Sequence, residues 1–140
     1  MSYVLAALGG ALGALARWAV TTALPHAHGA WPWATLLVNL TGCLVIGVLL
    51  AVLLARYAHS PWLRPFLAVG VLGGYTTYST FAVDVVQLAR SGHGGLALAY
   101  LLASVVGGVL AVVLGLLAGR AAVRAVESVD DELRAGEGAT

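Results

Sequence analysis

The sequence contains no lysine, so its seven arginines supply all of its permanent positive side-chain charge. Charged residues make up 9% of the chain, against roughly 25% in an average soluble domain. No basic patch with interleaved aromatics occurs, which excludes nucleic acid as a partner. The single cysteine, Cys43, excludes an internal disulfide, and its apolar setting reads as that of a small buried residue. Acids are few as well. Only Asp84 lies among apolar residues, while Glu127, Asp130, Asp131, Glu132 and Glu137 gather near the end. No constellation of acids, histidines and nucleophiles suggests catalysis, and the chain is read as a non-enzyme.

What is present is apolar. Hydrophobic residues are 61% of the 140, and the mean hydropathy is +0.95. The chain reads as an integral membrane protein, with room for about four spans of ~20 residues and no separate soluble domain. Spans are expected at about 3–24, 33–54, 62–88 and 95–119, forming one transmembrane domain over 1–120. A polar tail, 121–140, reads as a helix extension that frays. The start, Met-Ser-Tyr-Val, has no basic n-region, and the first apolar stretch exceeds signal-peptide length, so it is read as a retained span.

The most informative stretch runs from Gly70 to Asp84. Gly70, Gly73 and Gly74 lower helix preference. The hydroxyls of Thr76, Thr77, Ser79 and Thr80 compete for backbone groups. As a straight helix, span three would exceed a ~30 Å core by about a third. A break near the midplane into two half-helices accounts for both features. Non-helical backbone at that depth must be buried in protein or line a water-filled cavity. The first half-helix would end in free carbonyls suited to a cation, and the second would begin with N–H groups suited to an anion.

Other polar residues lie within the spans. Arg17 is read either as a snorkelling arginine or as one facing a water-filled vestibule. Asn39, on a face shared with Thr35, is either an interhelical hydrogen-bonding group or a pore-lining amide. Tyr100 and Ser104, four apart and followed by Gly108, form a thin polar track on span four. Asp84 is either functional or near the aqueous end, meeting water or Arg90. Trp31 and Trp33 read as interface anchors. His26 and His28 lack an evident third metal ligand and read as a solvated loop. Small-residue pairs such as Gly9/Gly13 and Gly115/Gly119 allow close helix approach and suggest at least a dimer. Arg56, Arg64, Arg120, Arg124 and Arg134 fall on one side and Arg90, with Arg17 at most, on the other, which places both termini in the cytoplasm.

Three strings carry a family resemblance. They are Gly-Ala-Leu-Ala-Arg-Trp (Gly13 to Trp18), Asn-Leu-x-Gly-x-x-x-x-Gly (Asn39 to Gly47) and Gly-Gly-Tyr-Thr-Thr-Tyr-Ser-Thr-Phe (Gly73 to Phe81). Together they resemble the Fluc family of small bacterial fluoride channels over nearly the whole chain. The resemblance implies an all-α membrane fold of four helices, the third broken, in an antiparallel dual-topology dimer with two fluoride pathways. It implies a passive channel that exports fluoride and relieves its toxicity in the bacterial inner membrane. It implies a structural sodium at the dimer centre, held by main-chain carbonyls at Gly73 and Thr76. Asn39, Tyr100 and Ser104 match the polar lining, and Arg17 matches the span-one arginine. Tyr78 and Phe81 match two phenylalanines whose ring edges meet the anion, with the Ser79 and Thr80 hydroxyls between them.

Tyr78 departs from the first phenylalanine, and Asp84 stands where many relatives have Glu. The biased arginines leave open an oppositely oriented paralogue as partner in place of a homodimer. Two other readings compete. A small multidrug-type proton-coupled exporter needs a carboxylate in span one, where this chain has Arg17. A structural subunit would carry no ion flux.

Overall fold

The structure, a computed structural model, describes residues 2–27, 29–57 and 60–137. His28 of the His-x-His pair lies outside the described residues, as do two positions of the second loop. Helix α1 is Ser2–Ala23 and α2 is Trp33–Arg56. Helix α3 is wound as a π-helix over Arg64–Leu72 and tightens to one α-turn at Gly73–Tyr75. Helices α4 (Tyr78–Arg90) and α5 (Gly94–Glu137) complete the chain. The described residues contain four stretches long and apolar enough to cross a membrane, with α3 and α4 forming the third. The protein is therefore an all-α, four-span membrane protein.

The third span bends near its middle, at Thr76 and Thr77. Thr76 has φ −74° and ψ 160°, and Thr77 has φ −148° and ψ 117°, both extended. The glycines expected to cause the break lie before it and remain helical. Their role is close approach. A β-carbon at Gly74 would lie 2.9 Å from the Gly10 α-carbon, and one at Gly13 would lie 2.7 Å from the Tyr75 nitrogen. Helix α1 thus packs backbone to backbone along α3. Such intimate contact needs small residues because lipid offers no hydrophobic drive for helix association.

The other principal layer is α2 on α5. Here Gly47, Gly115 and Gly119 let the backbones meet, and a β-carbon at Gly47 would lie 2.9 Å from the Leu116 nitrogen. Helix α4 leaves the break and packs on α5. A small core forms there from Leu36, Leu88, Ala97 and Tyr100, with Trp31, Leu40, Phe81, Val85 and Leu96 against it. Outward faces carry exposed Leu and Val, as a lipid-facing surface requires.

Two turns at one end need glycine. Gly29 has φ +79° and Gly92 φ +83°, values that L side chains rarely adopt. Helix α5 continues past the expected end of the span, as the helix extension, to Glu137. Its 44 residues extend about 66 Å at ~1.5 Å each. That is roughly twice a bilayer core, so the last turns project from the membrane.

The packing makes a paired prediction. Gly74→Ala places a methyl against the α1 backbone, and overpacking of this kind costs about 1–3 kcal/mol. Gly10→Ala has its nearest neighbour at 4.0 Å and leaves stability close to that of the parent. Thermal unfolding of the two variants in detergent checks the contrast.

Candidate functional site

The site is built around the two extended residues. Unwinding a helix inside a membrane strands main-chain groups that cost several kcal/mol each unless bonded. Side chains satisfy them. Asn39, in the second turn of α2, donates from Nδ2 to the Thr77 carbonyl at 2.9 Å and accepts the Thr77 N–H at Oδ1 at 2.8 Å. Arg17, on α1, donates from Nη1 to the Thr76 carbonyl at 3.1 Å. Thr77 caps α4, its Oγ1 accepting the Thr80 N–H at 3.1 Å. Thr76 Oγ1 turns back to the Leu72 carbonyl at 2.9 Å. The Tyr75 hydroxyl meets Thr41 Oγ1 at 3.0 Å and ties α3 to α2.

Below the break lies an open groove of about 410 Å³, lined by Asn39, Gly42, Cys43, Ile46, Thr76, Thr77, Tyr78, Phe81, Ser104 and Val105. No charged side chain lines it. Ser104 Oγ is buried there without a hydrogen-bond partner, a donor that a passing ion or water can use. Tyr78 and Phe81 stand one turn apart on α4 with ring centroids 6.1 Å apart. Tyr78 is 82% exposed in the single chain. Ser79 and Thr80 are also exposed, and both hydroxyls bond to Thr77 Oγ1, at 3.3 and 2.9 Å.

A second cavity, about 340 Å³, opens on the side of the first loop and includes His26, Pro32, Asp84, Gln87 and Leu88 in its wall. Tyr100 stands between the two spaces. It is wholly buried, its ring 5.6 Å from that of Phe81, and its hydroxyl donates to Asp84 Oδ2 at 3.4 Å. Asp84 is itself 6% exposed. Its bonded partner is Tyr100, and the carboxylate faces the second cavity rather than lying open at a helix end.

Of the residues singled out from the sequence, Asn39, Tyr78, Phe81 and Ser104 meet at one groove, with Ser79 and Thr80 beside it. Tyr100 and Asp84 lie one step further along the same helices. Arg17 is bonded to the break itself, through the Thr76 carbonyl. Gly73 is exposed, with nothing within 4 Å of a β-carbon built there. Two contributors were not among the expected site residues: Thr77, named only for its competing hydroxyl, and Trp31. Thr77 supplies three of the groups that close the break. Trp31, expected to be a membrane anchor, instead packs edge-on against Tyr100 at 5.6 Å, with Nε1 buried and unpartnered. The Trp-x-Trp spacing gave no sign that Trp31 turns inward while Trp33 stays exposed.

A cation at the break would meet main-chain carbonyls and the Thr and Ser hydroxyls rather than carboxylates. Among the described residues, no cluster of three or more His, Cys, Asp or Glu side chains is brought together. Thr77 gives its N–H to Asn39, so the Gly73 carbonyl loses the donor that a continuous helix would supply. The Thr76 carbonyl keeps a second lone pair beside its bond from Arg17. Hard main-chain oxygens of this kind suit an alkali cation.

Residues 4–116 match the family model described as CrcB-like protein, Camphor Resistance (CrcB). A protein of Rhodospirillum centenum named fluoride-specific ion channel FluC is 47% identical over 126 residues, covering 89% of this chain and 97% of its own length. One from Nocardia farcinica, named fluoride-specific ion channel FluC 2, is 45% identical over 113 residues, 81% of each chain. A third, from Streptomyces avermitilis and of the same name, is 47% identical over 98 residues, or 70% of this chain and 62% of that protein. The spans and the bacterial relatives place the chain in a bacterial inner membrane as a multi-pass protein. The chain belongs to the CrcB/FluC family of membrane channels, which are not enzymes.

Proposed function

We propose that this chain is one half of a passive, fluoride-selective channel that exports fluoride and relieves its toxicity. The observation that carries the reading is the groove at the break, which has no fixed charge, an unpartnered hydroxyl and an aromatic pair. Fluoride is small and strongly hydrated, so a selective route must replace its water with donors. The Ser104 hydroxyl, the free amide hydrogen of Asn39 and the positive ring edges of Phe81 and Tyr78 are donors of that kind. A fixed cation in the groove would hold the ion too tightly for exit, and none lines it. The relatives named as fluoride channels support the choice of ion.

The single chain leaves the break partly uncovered. Gly73, Tyr78, Ser79 and Thr80 are exposed at about mid-span, where lipid does not tolerate open backbone and hydroxyls. A second chain has to cover this face. The partner is an inverted copy of the same chain, or an oppositely oriented paralogue, giving an antiparallel dimer with two pathways. The Gly73 and Thr76 carbonyls of both halves would then hold a structural sodium at the centre. The ion supplies charge neutralisation between carbonyl ends that otherwise repel. On the outer side of the groove, Tyr100 and Asp84 lead to the second cavity, and Arg17 stands by the break.

Reconstitution into liposomes tests the function, with fluoride efflux read by electrode and chloride as control. The parent chain releases fluoride and retains chloride; retention of both anions would contradict the reading. Phe81→Ile removes a ring edge worth about 0.5–1.5 kcal/mol and lowers fluoride flux by up to about tenfold, while the protein still elutes as a dimer. Exchanging sodium for N-methylglucamine lowers the thermal stability of the dimer; unchanged stability would remove the ion from the account. Asp84→Asn leaves passive efflux in place, whereas a proton-coupled exporter would lose gradient-driven transport.

A further inference from the structure

Span three would wind straight through its middle if its helical hydrogen bonds were free to form. In a continuous helix the Thr77 N–H would go to the Gly73 carbonyl, and the Thr80 N–H to the Thr76 carbonyl. The structure diverts both pairs. Asn39 Oδ1 takes the Thr77 N–H, Thr77 Oγ1 takes the Thr80 N–H, and Arg17 Nη1 occupies the Thr76 carbonyl. Asn39 also donates to the Thr77 carbonyl. Its planar carboxamide therefore docks on both main-chain groups of one residue.

We propose that Asn39 is a positioning residue that holds the third span unwound and fixes its own amide with the donor end toward the groove. A carboxamide can present either its oxygen or its nitrogen, and its hydrogen-bond network decides which. Here the Thr77 N–H requires the oxygen, and the Thr77 carbonyl requires the nitrogen. The oxygen, which would repel an anion, is turned to the Thr77 N–H. The only unused group on the side chain that can donate is the second Nδ2 hydrogen, and Asn39 lines the groove. One clasp thus sets the break and the polarity that the groove shows an anion. The choice of fluoride rests on the function proposed above, but the clasp does not depend on which ion is carried.

Asn39→Leu and Asn39→Asp in the full chain, reconstituted in liposomes, test this. Two readouts are taken on each: hydrogen–deuterium exchange at the Thr77 amide, and efflux of fluoride and of chloride. Leucine removes both bonds, so the Thr77 amide exchanges faster by about fivefold, the factor that one hydrogen bond of ordinary net strength represents. Fluoride efflux falls with it. Aspartate, measured at a pH where it is ionised, keeps an acceptor for the Thr77 N–H but supplies no donor to the Thr77 carbonyl, so the amide stays slower than in the leucine variant while fluoride efflux falls. Slow exchange in the leucine variant, or fast exchange in the aspartate variant, overturns the proposal. If the leucine variant does not assemble, the aspartate result decides alone. Exchange reads the clasp whatever ion passes, so its failure is distinguishable from a failure of the fluoride reading.

Discussion

The structure depends on keeping two residues extended in the middle of a membrane. Thr76 and Thr77 interrupt a span whose neighbours on both sides are helical. Each main-chain group they free must be bonded, because lipid offers no substitute for water. The solution draws one side chain from each flanking helix and one from the break. Arg17 comes from α1, Asn39 from α2, and Thr77 supplies its own hydroxyl. The helix packing follows from this need. Small residues on α1 and α3 bring those backbones together, so that Arg17, one turn beyond Gly13, arrives at the right height.

The same unwinding generates the chemistry. A helix end with a carbonyl deprived of its helical donor suits a cation, and a fresh helix start lined with hydroxyls and ring edges suits an anion. These two demands sit back to back at one level, which is why a cation site and an anion groove are proposed so close together. The groove bears no formal charge, and its selectivity is assigned to donors and ring edges rather than to a fixed cation. Tyr100 joins the wall of one space to the wall of the other. Its ring packs on Phe81, and its hydroxyl reaches the buried Asp84.

Much of this was legible in the sequence, and the reasons are particular. Four apolar runs of bilayer length fixed the fold class. The overlong third run, with its cluster of hydroxyls, located the break to within a few residues. Of the two causes read for the break, glycines and hydroxyls, the hydroxyls act. Gly70, Gly73 and Gly74 remain helical, and Gly70 and Gly74 serve contact with α1, while the hydroxyl and extended geometry of Thr77 do the interrupting. Composition cannot separate these uses of glycine, because close approach and backbone freedom both need a missing β-carbon. For Asn39 the alternatives were a structural bond and a pore amide; the structure shows the bond, and the pore role is the proposal. Arg17 was legible as unusual but not as a partner of the break, since 59 residues separate it from Thr76. The inward turn of Trp31 left no local signal at all.

The central claim is that the broken face of span three is covered by a second chain rather than by lipid. A spin label at Val69→Cys, in a Cys43→Ser background, reads this most directly. Val69 lies one turn before Gly73 on the same face and is 67% exposed in the single chain. Electron–electron dipolar spectroscopy in lipid-diluted liposomes should give one short, narrow distance between the labels of two copies. Loss of that distance on dilution, leaving the label isolated in lipid, would contradict the account.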